Sequence, residues 1–437
     1  RPPAPQSLYL SKFVPLCVDA IDLMRKDGLP LCSFALPLAV LSFMVLQSKH
    51  FAKQFVLSGG ISAIKACGTL TRPPARRLRA QVARWEKQST RARNLTGRQL
   101  QLLSTRQRLL RRHPQTASSD HALSSEALFQ SLICNGAAST LGDSGSRSVS
   151  MRNATIRDAM TGLIRDSLNT LSFIARQNKA YYARIASAEL ECQLRLLCWD
   201  ADDIVRGKLC NLLGNLCKHS DECYPMLSRT LPAVILKGGE KEEEEKATEG
   251  IEEEDCPVAD ADAVRGRTLI AHLSARLRDE DPATRKFAAF AVGNAAFHSD
   301  SLYPHLRVTV PALVDALRYD EIHKTRANAA GALGNLVRNS PLLCSSLVQA
   351  KAPEALLRAA LRDSDLQPRR IALFSLGNLC VYSACRQVLL TGGADDMMAH
   401  LDRLEQRIGD KTAEKYIQRI RSKLAKPGFA QTQKKGM

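Results

Sequence analysis

A Gly-Asn dipeptide recurs four times in matching surroundings, and its spacing constrains the fold more than any other feature. It occurs in the segments KLCNLLGNLCKHS, KFAAFAVGNAAFHS, ANAAGALGNLVRNS and IALFSLGNLCVYS. The asparagines, called the ladder asparagines below, are Asn215, Asn294, Asn335 and Asn378. The last three are 41 and 43 residues apart. A fixed period in this range, with helical patterning in every segment, predicts a stack of helical repeats.

Each period divides into three helical segments. Residues 284–299 have apolar side chains at the spacing of a buried helix, and shorter helices are predicted at 301–308 and 310–318. The same order restarts at residues 325 and 368. Three helices per repeat is the armadillo pattern, whereas HEAT repeats have two. We therefore predict an all-α, right-handed superhelical solenoid of armadillo (ARM/HEAT-like) repeats with disordered charged insertions, closed by an amphipathic cap helix at 413–424.

Departures from the period predict the domain organisation. The acidic run EKEEEEKATEGIEEED, residues 240–255, has too few apolar residues to fold. Residues 71–113 carry twelve Arg, one Lys and a single acidic residue, and the following residues to 150 are rich in Ser, Gly and Ala. The predicted domains are partial armadillo-like repeats at 1–70, an Arg-rich then Ser/Gly-rich disordered insertion at 71–155, armadillo repeats at 156–426 with an acidic loop at 238–260, and a disordered tail at 427–437.

Two further features bear on location and cofactors. The uncharged run Leu29–Gln47 approaches the length of a membrane span, but it contains Pro30 and Pro37 and its end aligns with a repeat helix. We interpret it as a helix buried between repeats, and we expect no membrane partner. The thirteen cysteines form neither a CxxC motif nor a zinc-site spacing. This pattern predicts buried free thiols in a reducing compartment and no metal site.

Three consecutive stretches carry a family resemblance. RKFAAFAVGNAAFHSDSLYPHL, TRANAAGALGNLVRNSPLLC and IALFSLGNLCVYSACRQVLL, spanning about 284–390, resemble the carboxy-terminal armadillo region of Fused-type serine/threonine protein kinases. The resemblance implies a kinase domain amino-terminal to a helical-repeat tail. It also implies roles in Hedgehog signalling, in the central pair of motile cilia or in plant cytokinesis, with kinesin-like partners. This chain has no Gly-rich loop, HRD or DFG motif. No catalytic residue or cofactor is therefore expected here, and ATP and Mg²⁺ are implied only if a kinase domain precedes Arg1.

The helix face that carries the ladder asparagines is the predicted partner-binding groove. Residues four or seven positions away lie within about 40° of each asparagine around the helix. An asparagine side chain both donates and accepts, so a row of them can pair with the backbone of an extended peptide. The alternative is that each asparagine bonds to a neighbouring loop and stiffens the stack. The predicted groove residues are Asn211, Asn215, His219, Phe290, Asn294, His298, Asn328, Asn335, Asn339, Phe374, Asn378 and Tyr382.

Nuclear-import adaptors are a competing armadillo class. They place a tryptophan four residues before the ladder asparagine, and those tryptophans stack on a basic peptide. The corresponding positions here hold Asn211, Phe290, Gly331 and Phe374. The missing tryptophans argue against binding of a cationic signal peptide.

Arginines form two sets. Arg206, Arg285, Arg326 and Arg369 each stand nine residues before a ladder asparagine, half a helical turn from its face, and we predict that they brace the stack by pairing with Asp203, Asp281 or Asp365. The Arg-rich insertion could bind nucleic acid or an acidic protein surface, fold back onto the acidic run, or serve as a solvated linker. The predicted basic patch is Arg72, Arg76, Arg77, Arg79, Arg106, Arg108, Arg111 and Arg112.

These observations favour a non-catalytic protein-interaction scaffold. The resemblance assigns it as the regulatory or docking tail of a Fused-type kinase, acting in ciliary, Hedgehog-like or microtubule-linked signalling. The expected location is the cytoplasm, at the cilium, axoneme or microtubules, with kinesin-like or axonemal protein partners and no small-molecule substrate. A free-standing armadillo adaptor without a kinase is the first alternative. A nucleic-acid-binding repeat protein is the second, and it would require the Arg-rich run to be ordered along the groove.

Overall fold

The computed structural model describes residues 5–26, 34–71, 80, 149–230, 268–391, 394–408 and 411–425. All regular elements within these ranges are helices. The chain divides into two compact units, residues 1–173 and 174–437. The Arg-rich run except residue 80, the acidic loop and the predicted tail lie outside the described residues.

The first unit is built from four amino-terminal helices and most of a long fifth one. Buried Val18, Leu41, Phe55 and Ile64 lie in its core. The long helix begins at Val149, inside the range predicted as disordered insertion, so helical structure starts earlier than expected. The helices are α1 (Pro5–Lys26), α2 (Ala35–Gln47), α3 (Lys49–Leu57), α4 (Gly60–Ala66) and α5 (Val149–Gln177).

The uncharged run near the amino terminus forms α2, which has 13 residues. Its Leu38, Leu41 and Val45 are buried. Within the described ranges, no helix combines the length and the apolar character that a membrane span requires.

The second unit repeats one three-helix pattern. Each repeat has a long helix, a short helix and a third helix, and α20 (Lys411–Leu424) follows the last repeat. In chain order the others are α6 (Tyr182–Ala186), α7 (Glu191–Leu197), α8 (Asp203–Leu216), α9 (Tyr224–Ser228), α10 (Leu269–Arg276), α11 (Pro282–Ala295), α12 (Tyr303–Leu306), α13 (Val310–Tyr319), α14 (His323–Asn335), α15 (Cys344–Gln349), α16 (Ala352–Arg362), α17 (Leu366–Leu379), α18 (Ser383–Leu389) and α19 (Ala394–Ile408). The 3₁₀ turns are Lys179–Tyr181, Arg307–Thr309 and Pro341–Leu343.

The long helices are α8, α11, α14 and α17, and their sequences explain their start and their packing. Aspartates cap two of them: Asp202 Oδ1 accepts from the Val205 amide, and Asp281 Oδ2 accepts from the Thr284 amide. Small and aliphatic side chains then cover most of their circumference, and successive long helices pack directly on one another. The prediction of an all-α armadillo solenoid is therefore confirmed by three helices per repeat in the described part of this unit.

Candidate partner-binding face

The ladder asparagines tie each long helix to the one before it. Three of them donate a hydrogen bond from Nδ2 to the carbonyl oxygen of the glycine that precedes the previous ladder asparagine. These bonds join Asn294 to Gly214 (2.9 Å), Asn335 to Gly293 (2.9 Å) and Asn378 to Gly334 (3.1 Å). At Gly214 and Gly334 a Cβ atom would clash with the next long helix, so the absence of a side chain there allows its close approach, and the asparagine satisfies the carbonyl that this approach covers.

A second row of bonds runs parallel to the first, four residues farther along the chain. The His219 ring lies 2.8 Å from the Arg176 carbonyl oxygen, and the His298 ring lies 3.1 Å from that of Lys218. Asn339 Nδ2 donates to the Phe297 carbonyl over 3.1 Å. The Arg176 carbonyl lies in the last turn of α5, and those of Lys218 and Phe297 follow the ends of α8 and α11, where four carbonyl groups lack partners within the helix. The predicted groove residues at this offset therefore satisfy backbone groups of the preceding repeat.

A row of tyrosines, absent from the predicted site, completes this network. Tyr303 donates its hydroxyl to the Asn335 carbonyl (2.7 Å) and accepts from the Asn339 amide (3.2 Å). Tyr224 makes the same two bonds one repeat earlier, and Tyr182 makes them two repeats earlier. Burial raises the pKa of Tyr182 to about 12, so the hydroxyl stays protonated and can donate. The sequence held a signal for two of them, because a Tyr-Pro pair stands nine residues after Asn215 and after Asn294.

The ladder asparagines brace the stack, as the alternative predicted, but the acceptor lies in the preceding long helix and not in a neighbouring loop. The bonds leave part of the face available. Each bracing asparagine uses Nδ2, and the Oδ1 atoms of Asn294 and Asn335 have no hydrogen-bond partner within the described ranges. Both residues are partly exposed. Asn328 also braces, donating to the Lys286 carbonyl over 3.0 Å. A binding role for the predicted groove residues stays a prediction.

Aromatic side chains flank the open positions. Phe287 and Phe290 are both partly exposed, and Lys286 Nζ lies 4.4 Å from the Phe287 ring centroid. Phe290 packs against Gly214 so closely that a Cβ atom there would lie 2.5 Å from its ring. Asn215, the first ladder asparagine, is buried and donates to Asn211 Oδ1 over 3.3 Å. The open part of the face is therefore centred on α11 and α14.

The carboxy-terminal helix α20 covers the last ladder asparagine, Asn378. The Tyr416 ring packs edge-on against Phe374 with centroids 5.5 Å apart. Arg419 donates to Asn378 Oδ1 over 2.9 Å and stands where the next ladder residue would be. Asn378 is 6 % exposed. Phe374 and Asn378 thus belong to the packing of α20 on α17, while Tyr382, one turn farther on, remains partly exposed.

Three of the four arginines of the bracing row form ion pairs with the following repeat, although their main partners differ from those predicted, and the fourth, Arg369, donates to the Asp363 carbonyl. Arg206 pairs with Asp279 (2.9 Å), Arg285 with Asp320 (2.7 Å) and Arg326 with Asp363 (2.8 Å). Of the predicted partners, Asp365 alone is met, by Arg326. The predicted pairing with Asp203 and Asp281 was wrong: within the described residues neither forms an ion pair with these arginines, and Asp281 instead caps α11. Burial opposes ionisation of Asp279, but hydrogen bonds from Arg206 and the Asp281 amide outweigh it and lower its pKa.

All eight arginines of the predicted basic patch lie outside the described residues. In the described part of the chain, no group of His, Cys, Asp and Glu is arranged to hold a metal ion, and ten cysteines are free thiols. Burial raises the pKa of the Cys198 and Cys380 thiols to about 12.

Comparison with known proteins adds sequence evidence. No protein-family profile matches the chain. It is similar to serine/threonine-protein kinase 36 of Pongo abelii, with 38% identity over 133 residues that cover 30% of this chain and 10% of the relative. It is also similar to serine/threonine-protein kinase TIO of Arabidopsis thaliana, with 33% identity over 252 residues that cover 55% of this chain and 16% of the relative. The resemblance to Fused-type kinases is confirmed over this part of the chain.

The matched regions are a small part of each relative. The chain spans only about a tenth to a sixth of the length of these curated relatives. Among solved structures, the designed armadillo repeat protein YIII(Dq)4CqI is 18% identical with a TM-score of 0.45, over 60% of this chain and 93% of its own. The fold assignment rests on the three-helix repeats described above.

Proposed function

We propose that this chain is a non-catalytic protein-interaction scaffold and the docking tail of a Fused-type serine/threonine kinase. The observation that carries the proposal is the open face on α11 and α14. There, two braced asparagines, Asn294 and Asn335, keep Oδ1 available beside the half-buried rings of Phe287 and Phe290. Sequence similarity to kinase 36 and kinase TIO supports the link to a kinase.

The face suits an extended peptide. Oδ1 accepts from a peptide N–H whatever the peptide's side chains are, and its orientation is fixed by the bond that Nδ2 makes to the previous helix. Preorganised acceptors lose little conformational entropy on binding. The two phenylalanine rings supply apolar area for one or two of the peptide's side chains.

The identity of the partner, the signalling role and the cellular location are proposed from the resemblance to Fused-type kinases. In this proposal the tail docks a kinesin-like or axonemal partner in ciliary, Hedgehog-like or microtubule-linked signalling, and it acts in the cytoplasm at the cilium or along microtubules. ATP and Mg²⁺ belong to a kinase domain elsewhere in the protein. A free-standing armadillo adaptor is the alternative, and a transcript whose reading frame continues upstream of Arg1 into a kinase domain would exclude it.

A test of the partner-binding face must leave the hydrogen bonds of the ladder asparagines intact. Phe287→Arg and Gly331→Arg place long charged side chains on the face, and a Cβ atom at Gly331 would meet only Ile371 at 3.4 Å. Val308→Arg, at a site 59% exposed in the 3₁₀ turn after α12, adds one positive charge elsewhere, as each of the two substitutions does on the face. Proximity labelling in ciliated cells would compare the double variant with this control.

We expect the Phe287→Arg/Gly331→Arg chain to lose its kinesin-like or axonemal neighbours while the Val308→Arg chain keeps them, with equal melting temperatures. Retention of the same neighbours by the double variant would place the docking site elsewhere. Loss from both variants would point to a general effect of added charge.

A further inference from the structure

A second surface of the repeats has a different chemistry. A cleft of about 270 Å³ lies between α13 and α16, the third helices of successive repeats. Its lining includes apolar Leu317, Ala355 and Ala359 together with Arg318, Arg358 and Arg362. Tyr319, at its edge, is 73% exposed. The cleft is separate from the partner-binding face, which the long helices form.

The charge of the cleft is positive once its internal ion pairs are counted. Two aspartates line it, but Asp320 is paired with Arg285 and Asp363 with Arg326, and their side chains are 3% and 4% exposed. Each of these ion pairs therefore contributes almost no net charge to the surface of the cleft. The carboxylates therefore do not cancel the charge of the three remaining arginines in the cleft.

The three remaining arginines are available to a ligand. Arg318 is partly exposed and uses one nitrogen to donate to the Lys351 carbonyl over 3.3 Å. Arg358 and Arg362 are exposed, and within the described ranges neither forms an ion pair or side-chain hydrogen bond. They stand four residues apart on α16, so their side chains leave the same helix face about 6 Å apart. Two guanidinium groups at this spacing can each hold one carboxylate through paired N–H donors.

We propose that this cleft binds an acidic, extended segment of a partner protein. Carboxylates of the segment would pair with Arg358 and Arg362, and an apolar side chain between them would lie over Leu317, Ala355 and Ala359. This goes beyond the proposed function, because the occupant, the helices and the chemistry all differ from those of the partner-binding face.

The source of the acidic segment follows from charge. The chain's own acidic run at 240–255 has ten acidic and two basic residues, a net charge of −8. Its Arg-rich run at 71–113 has a net charge of +12, far more than the three arginines of the cleft. The Arg-rich run is therefore the stronger counterpart for the acidic run within the chain. We assign the cleft to a segment of another protein.

The experiment measures binding of a defined probe to the full chain. The probe is a fluorescein-labelled peptide of repeated Glu-Glu-Leu units, about twelve residues long, which spans roughly 40 Å when extended. Arg358→Ala and Arg362→Ala remove one cleft charge each, and Arg307→Ala removes the same charge from an exposed site outside the cleft. Fluorescence polarisation gives the Kd of each variant, and melting temperatures verify the fold.

We expect Arg358→Ala and Arg362→Ala each to weaken binding about tenfold, as loss of a charge-assisted pair implies, with Arg307→Ala unchanged. A probe made of Lys-Lys-Leu units should not bind the cleft. Equal weakening by all three substitutions, or no binding of the acidic probe, would overturn the proposal. A further variant changes the acidic residues of 240–255 to Gln and Asn. If it binds the probe more than tenfold tighter than wild type, and adding Arg358→Ala removes that gain, the chain's own segment fills the cleft, and the assignment to a partner is wrong.

Discussion

The glycines that precede the ladder asparagines give the most direct test of how the repeats pack. Gly293 and Gly334 occupy equivalent positions on α11 and α14, and each carbonyl accepts the Nδ2 bond of the following ladder asparagine. Their surroundings differ. A Cβ atom at Gly334 would lie 2.4 Å from Ser375 Oγ and 2.8 Å from Ser375 Cα, whereas one at Gly293 would meet Ala332 no closer than 3.5 Å. We therefore predict opposite effects for the same substitution.

The magnitudes follow from two terms. Replacing glycine with alanine inside a helix stabilises the fold by about 0.5–1 kcal/mol, because glycine loses more backbone entropy. Forcing a methyl group into a closed contact costs about 1–3 kcal/mol. Ser375 is fully buried and its Cα is part of the obstruction, so the neighbour cannot simply rotate away. Gly334→Ala should therefore destabilise the chain by about 1–2 kcal/mol, and Gly293→Ala should stabilise it by up to about 1 kcal/mol.

Urea denaturation followed by far-UV circular dichroism measures both variants on the full chain. Because repeat arrays can unfold in several steps, hydrogen exchange within α11, α14 and α17 should report the local change. Ser375→Gly combined with Gly334→Ala provides a double-mutant cycle, and relief of the contact should give a coupling above about 0.5 kcal/mol. Equal effects at Gly293 and Gly334, or no coupling, would refute the account of close helix approach.

Three further predictions concern single groups. Tyr303→Phe should lose about 1–2 kcal/mol of stability because it leaves a backbone amide and carbonyl unpaired, whereas Tyr319→Phe, at an exposed ring, should change it by less than about 0.5 kcal/mol in the same denaturation assay. Asp279 has a lowered folded pKa, so its stabilisation is present above about pH 4 and lost as pH falls through the folded pKa; the stability difference from Asp279→Asn, measured against pH, should shrink in that direction. Cys198 and Cys380, with pKa values raised to about 12, should react with a thiol reagent at neutral pH only as fast as the fold opens, which labelling with and without denaturant measures.

Helix content and repeat type were readable from the sequence because they depend on periodicity. The long helix predicted at 284–299 is observed at Pro282–Ala295, and the third helix predicted at 310–318 is observed at Val310–Tyr319. The long helix was predicted too long at its carboxyl end because Ala296 and Phe297 continue the apolar pattern. The chain leaves the helix there, and His298 bonds back to the previous repeat. Such long-range bonds have no signature in a local pattern.

The role of each ladder asparagine could not be decided from the sequence. The same side chain can brace a helix or bind a peptide, and the difference lies in which carbonyl comes within about 3 Å. That distance depends on the glycine of the preceding repeat, some forty residues away. The arginine row shows the same limit, since bracing was predicted correctly but two of the three predicted aspartate partners were wrong. Residue type indicates the kind of interaction, whereas the partner depends on the stacking of repeats.

The stacking also sets how much of the face a partner can reach. Asn215 is buried, and Arg419 covers Asn378, so the open acceptors are those of Asn294 and Asn335. Packed helices lie about 8–10 Å apart, and an extended peptide advances about 3.3 Å per residue. The distance from Asn294 to Asn335 therefore corresponds to about three residues of a bound peptide. Contact with the flanking helices extends the bound segment to about six to nine residues. A partner motif of that length, read mainly through its backbone and one or two apolar side chains, is what this face can recognise. A much longer motif would also have to contact surfaces beyond the long helices. On the described part of the chain, the cleft between α13 and α16 is the candidate for such a surface.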